Sequence, residues 1–280
     1  MNRLELKLSD EKIFDLVSSS WNFKAKKIKY IDVGSTFAFI LENALKMKVF
    51  LKLYKKATPS NPIECQTVES LALSCRILEH FSSVYNLKNI TAPIKTKLGN
   101  FYYEDQDYIL IISNYIAGAN PRHEPNELKY EKLASIFSKL HTIPILEFAE
   151  LKLETFNIDY ALGIEQCLKA TDSEIPQVRK MIEKFISERE LLTKAINMLI
   201  ELQNKFVNSP PVFIITHGDG HHFNVLQNKD ETFLIDWENI KLAPRERDLW
   251  HYASTPLIDE YLVLNPGFNI NYELCKYYHL

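Results

Sequence analysis

Two short apolar runs, residues 213–215 (FII) and 233–235 (FLI), bracket a polar loop, HGDGHHFN at 217–224, and this arrangement narrows what the chain can become. The first run reads as a strand feeding the loop. The second delivers Asp236 at its end. A hairpin turning at 227–230 (QNKD) brings Asp219, Asn224 and Asp236 together. Asp, then Asn five positions on, then Asp twelve beyond that is the polar skeleton of a phosphoryl-transfer site. One carboxylate orients an acceptor hydroxyl and takes its proton. An amide oxygen and a second carboxylate suit magnesium held against nucleotide phosphates.

Other phosphate-binding designs are excluded. None of the seven glycines precedes a lysine, so there is no Walker A loop. Gly218-Asp219-Gly220 begins a G-x-G, but Phe223 stands where the third glycine belongs, and no helical pattern follows. His217, His221 and His222 share the loop without a second ligand group at fixed spacing, so they read as orienting the loop and its aspartate. No Asp-Phe-Gly or activation segment follows Asp236, which argues against a protein kinase. A net charge of -3 gives no electrostatic case for nucleic acid.

The first third reads as strand-rich and the middle as helical. Ser9 caps a helix running to about Trp21. Strands are expected at 27–32, 37–42, 49–54, 93–97 and 108–112, and a long helix over 67–81 behind Pro62. Gly34, Ser35 and Thr36, between two strands, can fold over phosphates and offer backbone N–H groups. Lys52 interrupts an apolar strand, where its ammonium can reach the phosphates. Glu69 on the next helix is the expected partner that holds Lys52, with Glu64 as rival. His141 ends a periodic run over 133–140 and reads as a brace for a neighbouring loop.

The four cysteines are scattered without CxxC spacing and read as reduced, mostly buried thiols. The charged N-terminal stretch lacks the apolar block of a signal peptide, and no apolar run approaches the ~18 residues of a membrane span. The expectation is a cytoplasmic protein without membrane or nucleic-acid partners, as a monomer or homodimer.

HGDGHHFNVL and LIDWENIKLAPRERDL resemble the signature loops of the aminoglycoside phosphotransferases and their choline- and homoserine-kinase-like relatives. The LAPRERDL wording is particularly close to spectinomycin phosphotransferases, and Ser138-Lys139-Leu140-His141 matches the family's helix that ends in Leu-His. The resemblance implies a protein kinase-like α+β fold. An N-terminal antiparallel sheet with a helix would cover 1–113, a hinge 114–118, and a mainly helical catalytic and substrate lobe 119–280. It implies Asp219 as catalytic base, Asn224 and Asp236 as magnesium ligands, Lys52 on the phosphates with Glu69 beside it, and Asp248 as a brace for the catalytic loop. The hinge residues Asn114, Tyr115 and Ile116 would hold the nucleotide. This chain departs from the pattern at two places, since the family loop usually carries an apolar residue at Gly220 and a glycine at Phe223.

The leading reading is a small-molecule kinase using Mg2+ and ATP or GTP, with an aminoglycoside-like or other cationic or polyhydroxylated acceptor. A metabolite kinase for choline, homoserine or sugars is the first alternative, and a catalytically silent nucleotide-binding regulator the second. Residues 153–174 carry Glu154, Asp159, Glu165, Asp172 and Glu174 against a single lysine, Lys169. That surface either attracts amines or is an ordinary solvated helix face.

Overall fold

The computed structural model describes residue 3 and residues 6–32, 36–56, 67–120, 128–169 and 173–280. By contacts the chain divides into two units. One comprises Met1–Ile136 with His222–Asn239, the other Phe137–His221 with Ile240–Leu280.

In the first unit, the Ser9 hydroxyl accepts from the Lys12 N–H and starts helix α1 (Asp10–Ser20), with Asp10 and Glu11 placed favourably in its first turn. Strands β1 (Ala25–Ile31), β2 (Phe37–Asn43) and β3 (Lys48–Lys55) follow as antiparallel neighbours. The Asn43 carboxamide accepts from the Leu45 and Met47 N–H groups and closes the β2–β3 turn, where Lys46 takes φ 62°. After helix α2 (Val68–Ser83), capped by Thr67, come β4 (Tyr103–Glu104) and β5 (Tyr108–Asn114). The sheet order is β1-β2-β3-β5-β4. The strand expected at 93–97 is not one of these. There only Pro93 bridges to Ser113, and the short Tyr103–Glu104 strand pairs along β5.

One face of this sheet makes the unit's core. Phe37, Phe39, Leu41, Leu51, Leu53 and Leu110 are fully buried with Trp21 of the α1 end, each contributing on the order of 1.5–3 kcal/mol. The indole N–H of Trp21 donates to the Ile94 carbonyl at 2.8 Å, so the large ring is buried without leaving its polar atom unsatisfied. Because side chains alternate along a strand, Val49, Leu51 and Leu53 face this core while Lys52 and Tyr54 share the opposite face. Residues 114–118 lie within this unit, and Ala119 bridges Gln227 in a hairpin, Val225–Gln227 against Thr232–Leu234. The Asn228 side chain accepts from the Asp230 and Glu231 N–H groups and shapes the tip.

The division between the units falls within helix α3 (Tyr130–His141), after Ile136. The second unit holds α4 (Asp159–Lys169), α5 (Pro176–Ser187) and α6 (Arg189–Asn208), with the paired strands Ile214–Thr216 and Lys241–Ala243. The later helices there are Glu246–Leu249, Pro256–Leu264 and Tyr272–His279. Phe156, Ile158, Ile196, Leu199, Phe206 and Tyr277 form its aromatic-rich core. No helix among the described residues is long and apolar enough to cross a membrane.

Candidate active site

On the first unit, the Lys52 ammonium lies 2.5 Å from Asp236 Oδ1 and 2.6 Å from Glu238 Oε1. The Tyr54 hydroxyl donates to the same Glu238 oxygen. Two alternations build this cluster: Lys52 and Tyr54 are two apart on β3, and Asp236 and Glu238 are two apart after the hairpin. Burial alone would lower the Lys52 pKa, but the Glu238 and Asp236 carboxylates outweigh it and hold the pKa above its ordinary value. Burial, with Asp236 close by, pushes Glu238 up against the opposing pull of Lys52. Burial and the Glu238 charge push the Tyr54 phenol well up, so it stays a donor. Cys75, behind them, is pushed up to about 12 by burial and the Glu238 charge, which makes it an inert thiol.

Asp236 itself sits at φ 72°, a left-handed conformation uncommon for a residue with a side chain. Such outliers persist only where the surroundings over-determine them. Here Ile235 N–H donates to the Asn224 carbonyl at 2.9 Å, and Trp237 donates its indole N–H to the Leu234 carbonyl at 2.9 Å. Asn224 is buried at the end of a single 3-10 turn, His222–Asn224. The hairpin thus places Asn224 beside Ile235, the residue that precedes Asp236.

The expected Lys52–Glu69 pair is corrected. Lys52 takes Asp236 and Glu238 instead, and Glu69 is exposed in the first turn of α2. There its own backbone N–H and the Thr67 hydroxyl hold the Glu69 carboxyl below its ordinary value. A first-turn acid serves its own helix end, and two carboxylates on the lysine's sheet face satisfy the ammonium. Glu64, Gly34 and Ser35 lie outside the described residues. Thr36 stands immediately before β2, Asn114 ends β5, and Tyr115 lies under the Lys48 ammonium at 5.4 Å, with Ile116 half-buried next to it.

On the second unit, Asp219 sits in a loop held by Asp248. The Asp248 carboxylate is fully buried and accepts from the N–H groups of His217 (2.8 Å) and Gly218 (2.6 Å). Its Oδ2 also lies 3.0 Å from His141 Nε2, and His141 Nδ1 lies 2.7 Å from the Tyr261 hydroxyl. The brace assigned by resemblance to Asp248, and the loop-bracing role read for His141, are one buried network. The Asp219 N–H donates to His217 Nδ1 at 3.2 Å, and His221 Nε2 lies 3.2 Å from Asp219 Oδ1. Among the described residues no His, Cys, Asp and Glu group is arranged to hold a metal by itself.

Two glycines explain the loop's wording. Gly218 adopts φ 81°, and a Cβ there would stand 1.9–2.1 Å from the Arg247 guanidinium. A Cβ on Gly220 would stand 2.7 Å from the Phe137 ring, so a side chain there would have to displace that ring. The acidic stretch behaves differently from a free amine-attracting surface. The Glu154 side chain is largely covered and paired with Lys241 at 2.9 Å and Arg247 at 3.6 Å, Glu165 pairs with Lys169, and Asp159 accepts from Asn157. Asp172 lies outside the described residues.

These loops lie within a stretch that matches a known family. The model of the phosphotransferase enzyme family covers residues 102–265, more than half of the chain, and the chain belongs to that family. It is a phosphotransferase with the kinase-like α+β fold that the signature loops imply. Among solved structures it is similar to the spectinomycin phosphotransferase APH(9)-Ia in complex with ADP and spectinomycin. The identity is 19%, the TM-score 0.79, and the match covers 98% of this chain and 84% of that one. It is also similar to an amicoumacin kinase bound to AMP-PNP and Ca2+ (10% identity, TM-score 0.63, 97% and 76% covered). A macrolide 2′-phosphotransferase from Brachybacterium faecium matches at 12% identity and TM-score 0.60, with 96% and 86% covered. At these identities the likeness is one of fold. No curated protein matches the chain by sequence.

Proposed function

We propose that this chain is a magnesium-dependent small-molecule kinase that transfers the γ-phosphoryl group of ATP or GTP to a hydroxyl of a polyhydroxylated or cationic acceptor. The observation that carries this reading is the Lys52–Asp236–Glu238 cluster. An ammonium that would bind phosphates is held against carboxylates of the kind that would bind a hard dication. The donor set fits magnesium, because Asn224 and Asp236 offer oxygen ligands and the strained backbone of Asp236 fixes its carboxylate. Bound there, the ion would neutralise charge on the phosphates. Lys52 would bind the phosphates, Asn114 to Ile116 would contact the nucleotide, and the Asp219 carboxylate would orient the acceptor hydroxyl and take its proton. Rate enhancement would come from positioning and charge stabilisation rather than covalent chemistry by the protein.

Spectinomycin, amicoumacin and macrolides are named with the structurally similar enzymes, which makes amino- and polyhydroxylated antibiotics the first acceptors to try. With Glu154 and Glu165 already paired, hydroxyl recognition carries more of the proposed acceptor selectivity than charge does. The test is nucleotide consumption with ATP and GTP over spectinomycin, aminoglycosides, macrolides, choline, homoserine and sugars, with product phosphorylation confirmed by mass. Acceptor-dependent turnover that Asp219→Asn abolishes supports the proposal. Turnover confined to choline, homoserine or sugars replaces it with a metabolite kinase. Nucleotide binding without turnover on any acceptor replaces it with a silent regulator.

A further inference from the structure

We propose that His221 is the positioning residue for Asp219 and that residues 248–252 hold the pair in place as one clamp. This rests on the phosphotransfer reading, which needs Asp219, and narrows the orienting role read for the three loop histidines to one of them. His221 Nε2 stands 3.2 Å from Asp219 Oδ1, within reach of an N–H donor. With a ring proton on Nε2, the imidazole ties down one carboxylate oxygen of Asp219.

The backing of this contact is continuous. Asp248 takes the N–H groups of His217 and Gly218, and His217 in turn takes the N–H of Asp219. The Tyr252 hydroxyl donates to the Gly220 carbonyl at 2.8 Å. The His221 ring meets the His251 ring edge-on at 5.4 Å, and His251 stacks on Trp250 at 3.6 Å. From 217 to 221, each residue is held by a member of 248–252 or by a loop neighbour that is so held. The backbone contacts fix where Asp219 starts, and His221 adds a hold on its carboxylate. His251, stacked on Trp250, packs against the His221 ring in turn. A catalytic carboxylate has to be held to about 0.5 Å, which this two-sided hold supplies.

The test has two arms on the full chain. In the first, histidine nitrogen NMR places the His221 ring proton on Nε2 in the wild type, and Asp219→Ala turns that signal into a mixture of tautomers. In the second, His221→Ala lowers kcat by about 10- to 100-fold with nucleotide KM changed by less than about twofold, since misplacement of a reacting group costs rate rather than nucleotide binding. His221→Gln, whose amide nitrogen reaches about as far as Nε2, restores most of the rate. His251→Ala gives an intermediate loss that His251→Phe reverses by keeping an aromatic edge. Equal thermal melts for these variants separate the effect from folding. A wild-type His221 protonated on Nδ1, a tautomer that ignores Asp219→Ala, or equal kcat for the Ala and Gln variants overturns the proposal. An enzyme that phosphorylates no acceptor fails the phosphotransfer reading alone, and the NMR arm still decides whether His221 holds Asp219.

Discussion

His141 and Asp248 bury an imidazole against a carboxylate, Nε2 to Oδ2 at 3.0 Å, with neither side chain touching solvent. Burial depresses the His141 pKa below its ordinary 6.5 despite the favourable pull of Asp248, so the ring is neutral in the fold. Burial pushes Asp248 up, but His141, His217 and Arg247 outweigh it and hold that carboxyl low. Both shifts act in one direction. As pH falls through 6.5, the unfolded chain takes up a proton at His141 that the folded chain refuses, and at lower pH the same holds for Asp248. Stability is therefore complete above the histidine range and declines as pH drops into it. Urea unfolding at several pH values between about 5 and 8 should show the midpoint falling below pH 6.5, and His141→Gln should flatten that limb. A wild-type midpoint that does not move across this range would refute the buried neutral histidine.

The Lys52 cluster makes a prediction about removing one partner. Lys52→Met leaves Asp236 and Glu238 facing each other without their cation, at a cost of about 3 kcal/mol. Adding Glu238→Gln should return a large part of that loss, because one of the two like charges is gone. A denaturant double-mutant cycle measures the coupling, and additive effects would show that the three groups do not interact.

Gly220 and Gly218 should respond differently to a methyl group. Gly220→Ala meets the Phe137 ring and costs about 1–3 kcal/mol, and Phe137→Leu in the same chain should relieve it. Gly218→Ala combines a left-handed backbone with a collision at Arg247, so it should cost more, and the same Phe137 change should leave it unrelieved. Thermal melts of the four variants decide the point. Rescue of Gly218→Ala by Phe137→Leu would contradict the assigned contacts.

Glu154 should behave as a structural residue rather than an acceptor ligand. Its carboxylate takes the N–H groups of Thr155 and Phe156 as well as the cations of Lys241 and Arg247. Burial raises its pKa, but these partners outweigh that and hold it low. Glu154→Gln is expected to lower stability by about 2–4 kcal/mol and to leave KM for an amine acceptor unchanged. A raised KM at full stability would return Glu154 to the acceptor site.

Legibility followed the range of the forces involved. The strand carrying Lys52, the 227–230 turn and the approach of Asn224 to Asp236 were readable, because alternation and turn chemistry act over a few residues. The partner of Lys52 was not. Choosing between Glu69 and Glu238 requires knowing which residue arrives on the lysine's sheet face from 186 positions away. A signal was present, since Tyr54 and Glu238 stand two residues from Lys52 and Asp236 and share their alternation. The strand expected at 93–97 also failed for a tertiary reason: the stretch pairs with β5 through one bridge while Tyr103 and Glu104 take the ladder. No local pattern in the loop announces that Phe137 occupies the space beside Gly220.

The hairpin of residues 222–239 belongs with the sheet built from the first part of the chain, and this sets an order of assembly. Lys52 leaves the ribosome early, and its carboxylate partners follow 184 and 186 residues later. Between them the whole of residues 137–221 must be made and kept out of the way. The nascent sheet thus carries the Lys52 ammonium without these counter-charges until residues 236–238 are made. Shortened chains ending before residue 236 should expose that unfinished face to chaperones and proteases, however well their own strands have paired.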